Sequence, residues 1–441
     1  MKRQICIGLV LSATLVALGT TPCLTQGSQY NEDWAVISAN TTSPASAPWF
    51  INTVDSPNDV GQHVSVAIDP DNGTSYISYY DATYDNLRMA KYVGSGGDCG
   101  PNNDWACETV DSAGDVGKYS SIAVDPTDNY PIIAYYDATN GALKLAIGYV
   151  FGWYIKTIDD PLLGSAGSYA SLKLDSTGKT RIAYYFSNFM GDDSLWYVKY
   201  VGGGAGNCGG NDYQCDPIDS GDQVGKYASL AMDGSDRPRI AYYDGGNDAL
   251  MYAYEYGGSW TIREILPIHS GQYASLYVDV DNGDLPHIAH YDSSNGELGY
   301  AVYVGSGGNC GLSGTKLEWQ CDEIASVGTG TDPKGVSLAV DGAGYPIIAY
   351  QSGGSVLKVA RPAAALGLLV GNCGPENLFY TWQCEAIRFG IGIGLGDFVS
   401  LAVNSAGLAT IAYYGNITTS DGDLKVAYQR LQVFLPLALK N

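Results

Sequence analysis

Positive charge is scarce in this 441-residue chain: 23 Lys and Arg stand against 46 Asp and Glu, a formal net charge of −23. A polyanion without a basic stripe repels phosphate backbones, so nucleic acid is not expected as a partner. Histidine is rarer still. His63, His269, His287 and His290 show no metal-ligand spacing, and no metal is expected. His287 and His290, three apart, fall on opposite faces of a strand. There is no Cys-x-x-Cys pair to suggest zinc. No Gly-rich loop follows a strand and opens a helix, so no nucleotide or other cofactor is expected. Beyond residue 18, no apolar run is long enough for a transmembrane segment. Charged residues make up only 16%, yet hydrophobics reach 45%, which argues against disorder.

What the chain does have is glycine and tyrosine, 57 and 35 of them, a mixture that suits turn-rich β structure. Its first residues, Met1-Lys2-Arg3, precede an apolar run from Ile5 to Leu18 and small residues at Ala17 and Gly19. Residues 1–19 therefore read as a secretory signal peptide, too short in its apolar part for a membrane anchor. Pro22 before Cys23 does not suit lipidation. Residues 20–48, rich in Ser, Thr, Asn and Pro, read as a flexible lead-in. The expected destination is secreted, extracellular or at the cell surface. Eight further cysteines form local pairs, Cys99/Cys107, Cys208/Cys215, Cys310/Cys321 and Cys373/Cys384. Each pair opens with Cys-Gly and closes just after an aromatic residue. In an exported chain this spacing predicts four hairpin disulfides.

Four short patterns recur in fixed order. The first, Ser-apolar-x-apolar-Asp, is led by Ser65, Ser121, Ser171, Ser229, Ser275, Ser337 and Ser400. The second is apolar-Ala-Tyr-Tyr, often followed by Asp; the third opens with Leu, as in Leu143-Lys144-Leu145-Ala146. The fourth opens with an aromatic residue at Trp49, Trp105, Trp153, Tyr213, Trp260, Trp319 and Trp382. Each is strand-length and bounded by Gly, Asp, Asn or Pro turns. Seven repeats of four strands predict an all-β, seven-bladed β-propeller with four antiparallel strands per blade over residues 49–430. Trp49 to Asp55 matches Trp105 to Asp111, so this N-terminal strand is expected to close the last blade and remove two sheet edges. The competing closure would use the apolar tail, residues 431–441, although Pro436 disfavours it.

Runs such as Ser229 to Asp233, Pro238 to Asp244 and Leu424 to Tyr428 resemble repeats of secreted bacterial propeller proteins. These are loosely similar to sialidase-like and fucose-lectin-like propellers. The resemblance implies the fold over roughly residues 49–430 and does not by itself imply an activity.

Antiparallel geometry places the loops before the first strand and after the second on one face of the disc. The disulfide hairpins fall on the other. Two residues before each Ser stand His63, Tyr119, Tyr169, Tyr227, Tyr273, Gly335 and Phe398, and one position earlier come Lys118, Lys226, Gln272 and Lys334, among others. These are expected to ring the channel mouth, with Asp81, Asp137, Asp244 and Asp292 farther out on the same face. Aromatic planes with amide, ammonium and carboxylate groups nearby suit sugar recognition. The same residues also suit a structural role, with tyrosines wedging blades and Asp carboxylates accepting turn N–H groups. Catalytic residues are not identified. Arg88, Arg181, Arg239, Arg263 and Arg388 occupy differing strand positions, and Ser-x-Asp-x-Gly-x-Thr-Trp is absent. The expected function is a carbohydrate-binding module for glycans or cell-surface polymers. A glycoside hydrolase or lyase, and a scaffold for cell-surface protein contacts, are the alternatives.

Overall fold

The computed structural model describes residues 40–41, 44–431 and 433–434, apart from 189, 192, 268, 329–334, 354–355, 376–378, 390–396 and 416–421. The expected signal peptide, Cys23, Lys334 and nearly all of the tail lie outside the described residues. Strands, most of them seven to nine residues long, alternate with tight turns. In blade 1 they are Val60–Ile68, Ser75–Asp81, Asn86–Tyr92 and Trp105–Asp111, hydrogen-bonded in that order. Six further sheets repeat this meander, and successive first strands pack around a ring, so the fold is a seven-bladed β-propeller. Blade 5 adds a short outer strand, Cys310–Ser313, inside its disulfide hairpin.

Asp echoes at the first-strand ends explain the turns. Asp125 accepts the Thr127 N–H at 2.8 Å and Asp233 the Ser235 N–H at 2.9 Å, closing the bend into the second strand. The acidic run from Asp279 to Asp284 bends differently, through a 3₁₀ turn at Val280–Asn282 without a side-chain cap from Asp279. Closure is by the N-terminal strand. Trp49–Asp55 pairs antiparallel with Asp423–Gln429, outermost in the sheet that also holds Ala409–Gly415 and Asp397–Val403. Val433–Phe434 instead pairs with Asn40–Thr41 in a separate two-stranded sheet.

The leading serines do more than mark the repeat. Each hydroxyl accepts a backbone N–H from the first strand of the next blade: Ser65 from Ile122, Ser121 from Leu172, Ser171 from Leu230, and Ser229 from Leu276. Ser275, Ser337 and Ser400 continue the circle to Leu338, Leu401 and Val66. A serine suits this place because its short side chain lets inner strands approach while supplying an acceptor. Ser229→Ala leaves the Leu276 N–H without its partner and is expected to cost about 1–3 kcal/mol. The check is a lower denaturant midpoint at unchanged slope; an unchanged midpoint would show the hydroxyl to be dispensable.

Close blade contact also selects glycine before the mouth. Gly117 has φ +110°, and a Cβ there would sit 2.7 Å from Leu87 Cα of the preceding blade. Gly225 bears the same relation to Leu195. The four expected disulfides, Cys99–Cys107, Cys208–Cys215, Cys310–Cys321 and Cys373–Cys384, are all formed. Among the described residues, no helix is long and apolar enough to cross a membrane.

Candidate functional site

The start of each first strand is irregular. Register shifts at Gln62/Ser65 and Lys118/Ser121 release the backbone just where the mouth residues stand. There the chain turns left-handed at non-glycine residues: φ is 51° at His63, 53° at Tyr119, 54° at Tyr169, 53° at Tyr227, 54° at Tyr273 and 52° at Phe398. That conformation disfavours an L-residue by roughly 1–2 kcal/mol. It swings each ring toward the axis.

The rings meet. Centroids are 4.5 Å apart for Phe398 and His63, and 4.6 Å for His63/Tyr119, Tyr119/Tyr169 and Tyr169/Tyr227. Tyr227 and Tyr273 follow at 4.4 Å. Successive planes are tilted by 42–57°, so each ring leans its edge on the next. Gly335 is the seventh member and contributes no ring. The circle encloses a cavity of about 210 Å³ whose inner wall carries Val64, Ser120, Ala170, Ala228 and Ala274. All six rings are half-buried.

A second circle braces the first. The second tyrosine of each Tyr-Tyr pair meets its own blade's mouth residue, as Tyr80 meets His63 at 6.1 Å and Tyr243 meets Tyr227 at 6.1 Å. Carboxylates hold these outer hydroxyls: Tyr80 donates to Asp85 and Asp115, Tyr185 to Asp193, and Tyr414 to Asp59. The sequence signal was present in the repeated Tyr-Tyr, but which tyrosine turns to the mouth depends on the pleat.

Electrostatically the mouth is quiet. Burial, and next the Lys118 ammonium, lower the His63 pKa to about 3, so its imidazole is neutral over the physiological range. Burial, then Tyr169 nearby and hydrogen-bonded to it, push the Tyr119 phenol up. Lys118 and Lys226 turn away from the axis. Lys118 Nζ lies 2.6 Å from Asp115 and over the Tyr80 ring, while Lys226 Nζ donates to Gln223 and lies over Tyr185. Gln272 is hydrogen-bonded to Tyr243 in the outer circle.

The four outer Asp residues are brought to the same face but not into the cavity. Asp81 accepts the Thr83 and Tyr84 N–H groups, Asp137 that of Asn140, Asp244 those of Gly246 and Asn247, and Asp292 those of Ser294 and Asn295. Asp81, Asp137 and Asp244 are buried. Their hydrogen bonds follow the turn-capping alternative weighed from the sequence.

Ring, braces and blades together define a seven-bladed propeller with an aromatic axial mouth. Neither a protein-family model nor a curated protein sequence matches the chain. By structure it is similar to the BP39L lectin from Burkholderia pseudomallei, at 13% identity and TM-score 0.54, over 82% of this chain and 98% of that one. It is also similar to a protein of unknown function from Dyadobacter fermentans, at 10% identity and TM-score 0.46, over 87% of this chain and 98% of that one. The polysaccharide lyase Uly1 is a third, at 9% identity and TM-score 0.47, over 83% of this chain and 89% of that one. At such identities the likeness is one of fold.

Proposed function

We propose that the protein is a secreted carbohydrate-binding module whose axial mouth receives one sugar unit of a glycan or cell-surface polymer. The observation that carries this reading is the half-buried circle of His63, Tyr119, Tyr169, Tyr227, Tyr273 and Phe398 around a cavity of about 210 Å³. Aromatic surface suits the C–H face of a pyranose, and phenol hydroxyls suit its directional hydrogen bonds. Strained backbone gathered at one place is a pattern of ligand clamps. The four disulfides favour an oxidising, extracellular setting. A binding role fits this mouth better than acid–base catalysis, because among the described residues its lining holds no Asp or Glu and burial keeps the His63 imidazole neutral. The fold likeness to a lectin agrees with the same reading.

The test is a glycan array with the mature chain, followed by calorimetric titration of each hit. Tyr227→Ala with Tyr273→Ala should weaken binding roughly fivefold or more, since a lost aromatic face is worth about 1 kcal/mol. Binding should saturate at one site per chain. Tyr227→Gly should be more stable than Tyr227→Ala by about 1 kcal/mol, because φ is +53° at that residue. Unchanged glycan affinity in a destabilised double variant would make the circle purely structural.

A further inference from the structure

A repeated Tyr–Asp hydrogen bond crosses four blade junctions. The first tyrosine of the Tyr-Tyr pair donates to an Asp at the end of the preceding blade's fourth strand: Tyr79 to Asp55, Tyr135 to Asp111, Tyr184 to Asp159 and Tyr242 to Asp219. Opposite that tyrosine on the third strand stands a cation in blades 1 and 2. Arg88 is paired with Tyr79 in register and lies 3.2 Å from Asp55; Lys144 is paired with Tyr135 and lies 2.6 Å from Asp111.

The junction of blades 4 and 5 breaks all three positions at once. Leu266 holds the Asp place, paired with Leu250 as Asp159 is with Leu143. His290 holds the tyrosine place, and Gly299, its register partner, holds the cation place. A Cβ on Gly299 would collide with the His290 ring, so only glycine fits under it. The result is a cleft of about 230 Å³ lined by His290, Asp292, Glu297, Asp322 and Glu323, with no Lys or Arg in its wall. The matching cleft between blades 7 and 1 contains Arg88 beside Asp55.

One deeply buried side chain in this wall has unused polar atoms. His290 is 3% exposed, and neither of its ring nitrogens makes a hydrogen bond. Burial lowers the His290 pKa to about 4, against the opposing pull of the Tyr291 backbone and Asp292, so the imidazole is neutral and offers an acceptor. Burial, and then the Glu323 carboxylate hydrogen-bonded to it, raise the pKa of Glu297. Carboxylates crowded without a counter-charge favour an incoming cation.

We propose that this cleft binds a small organic cation, an ammonium or guanidinium group, which takes the place that Arg88 and Lys144 fill from within in blades 1 and 2. A bare metal ion suits it less. Among the described residues, the one set of three potential ligand atoms mutually within 4.8 Å is Asp98, Cys99 and Cys107, two of them disulfide-bonded. The blade-5 acceptors are spread around a larger space, as a multi-donor organic cation requires.

Calorimetric titration with glucosamine and with Nα-acetylarginine amide separates a sugar-borne amine from a side-chain guanidinium. N-acetylglucosamine and calcium or zinc chloride serve as controls. At least one cationic probe should bind, N-acetylglucosamine at least tenfold more weakly, and Glu323→Gln should weaken the cation tenfold or more. Glu323 is exposed, so that variant is not expected to threaten folding. The triple change Leu266→Asp, His290→Tyr, Gly299→Lys rebuilds the blade-2 arrangement and should abolish binding. Tyr227→Ala with Tyr273→Ala should leave it intact, which separates this site from the axial mouth. Equal binding of glucosamine and its N-acetyl form, metal binding alone, no binding of either cation, or full affinity in Glu323→Gln would each overturn the proposal.

Discussion

A chain begun at residue 57 is expected to lose cooperative unfolding, or to be destabilised by at least about 5 kcal/mol, while the same chain supplied with a peptide of residues 44–57 recovers. The removed strand closes the last blade, and its loss bares the hydrogen-bonding edge of Asp423–Gln429. Val54 is 1% exposed, and giving up its burial costs about 1.5–3 kcal/mol. Asp55, 4% exposed, is the partner of both Tyr79 and Arg88, and stripping one side from a largely buried pair costs about 3–5 kcal/mol. Arg361 loses more. Its buried guanidinium donates to Ala45 O at 3.1 Å and lies under the Trp49 ring at 5.6 Å. These losses together rival the whole stability of an ordinary domain, about 5–15 kcal/mol. Scanning calorimetry decides the matter; a wild-type melting temperature in the truncated chain would show that the ring does not depend on this strand.

Asp111→Ala should be the most damaging single substitution at a blade junction, costing about 3–5 kcal/mol. Its carboxylate accepts from Tyr135 Oη and Lys144 Nζ, each at 2.6 Å, and from the Ala113 N–H at 3.0 Å. Without it the Lys144 ammonium, buried between blades, retains Asp137 at 3.5 Å. Burial on its own would raise the Asp111 pKa. The hydrogen bonds from Lys144, Tyr135 and Ala113 outweigh it, and the net pKa lies below the usual carboxylate value. A carboxyl lowered in the folded state adds stability above its unfolded pKa of about 3.9, and that stability is lost as pH falls through the folded value. Asp175 and Asp233 are lowered in the same direction by their hydrogen bonds and arginine partners. Urea titrations should therefore show wild-type stability falling from about pH 6.5 downward, first because His63, His287 and His290 stay neutral in the fold and then, below about pH 4, because of these carboxylates. Asp111→Ala should start lower and fall less steeply. Parallel curves would mean that Asp111 is not protonated differently on unfolding.

The architecture was legible because propeller blades are local. Each strand, turn and disulfide hairpin is written within one repeat, so counting seven serines and seven aromatic strand starts was enough to number the blades. Closure was legible for the same reason, since Trp49 to Asp55 copies a fourth strand found elsewhere in the chain. The mouth aromatics were found by their constant offset from the serines. Their left-handed backbone was not, because nothing in Lys118-Tyr119-Ser120 reveals a register shift against the neighbouring strand. The outer Asp residues illustrate the limit from the other side. Sequence allowed them a ligand or a turn, and only the positions of Thr83, Asn140, Asn247 and Asn295 settled their hydrogen bonds.

Junction chemistry was out of reach altogether. Tyr135 and Asp111 stand 24 residues apart in different blades, and what joins them is the packing of one sheet on the next. The replacement of such a trio by Leu266, His290 and Gly299 looks, along the chain, like three unrelated departures from a repeat. Their meaning depends on antiparallel register, which sets His290 and Glu323 against Gly299, and on blade stacking, which brings Leu266 of the preceding blade beside them. The blades, their number and their closure can be read along the chain, since they follow from short-range pattern and hydrogen-bonding edges. Which polar groups are satisfied, and where an unbalanced charge is left between blades, was decided only by the tertiary structure, because burial and pairing are properties of surfaces that meet.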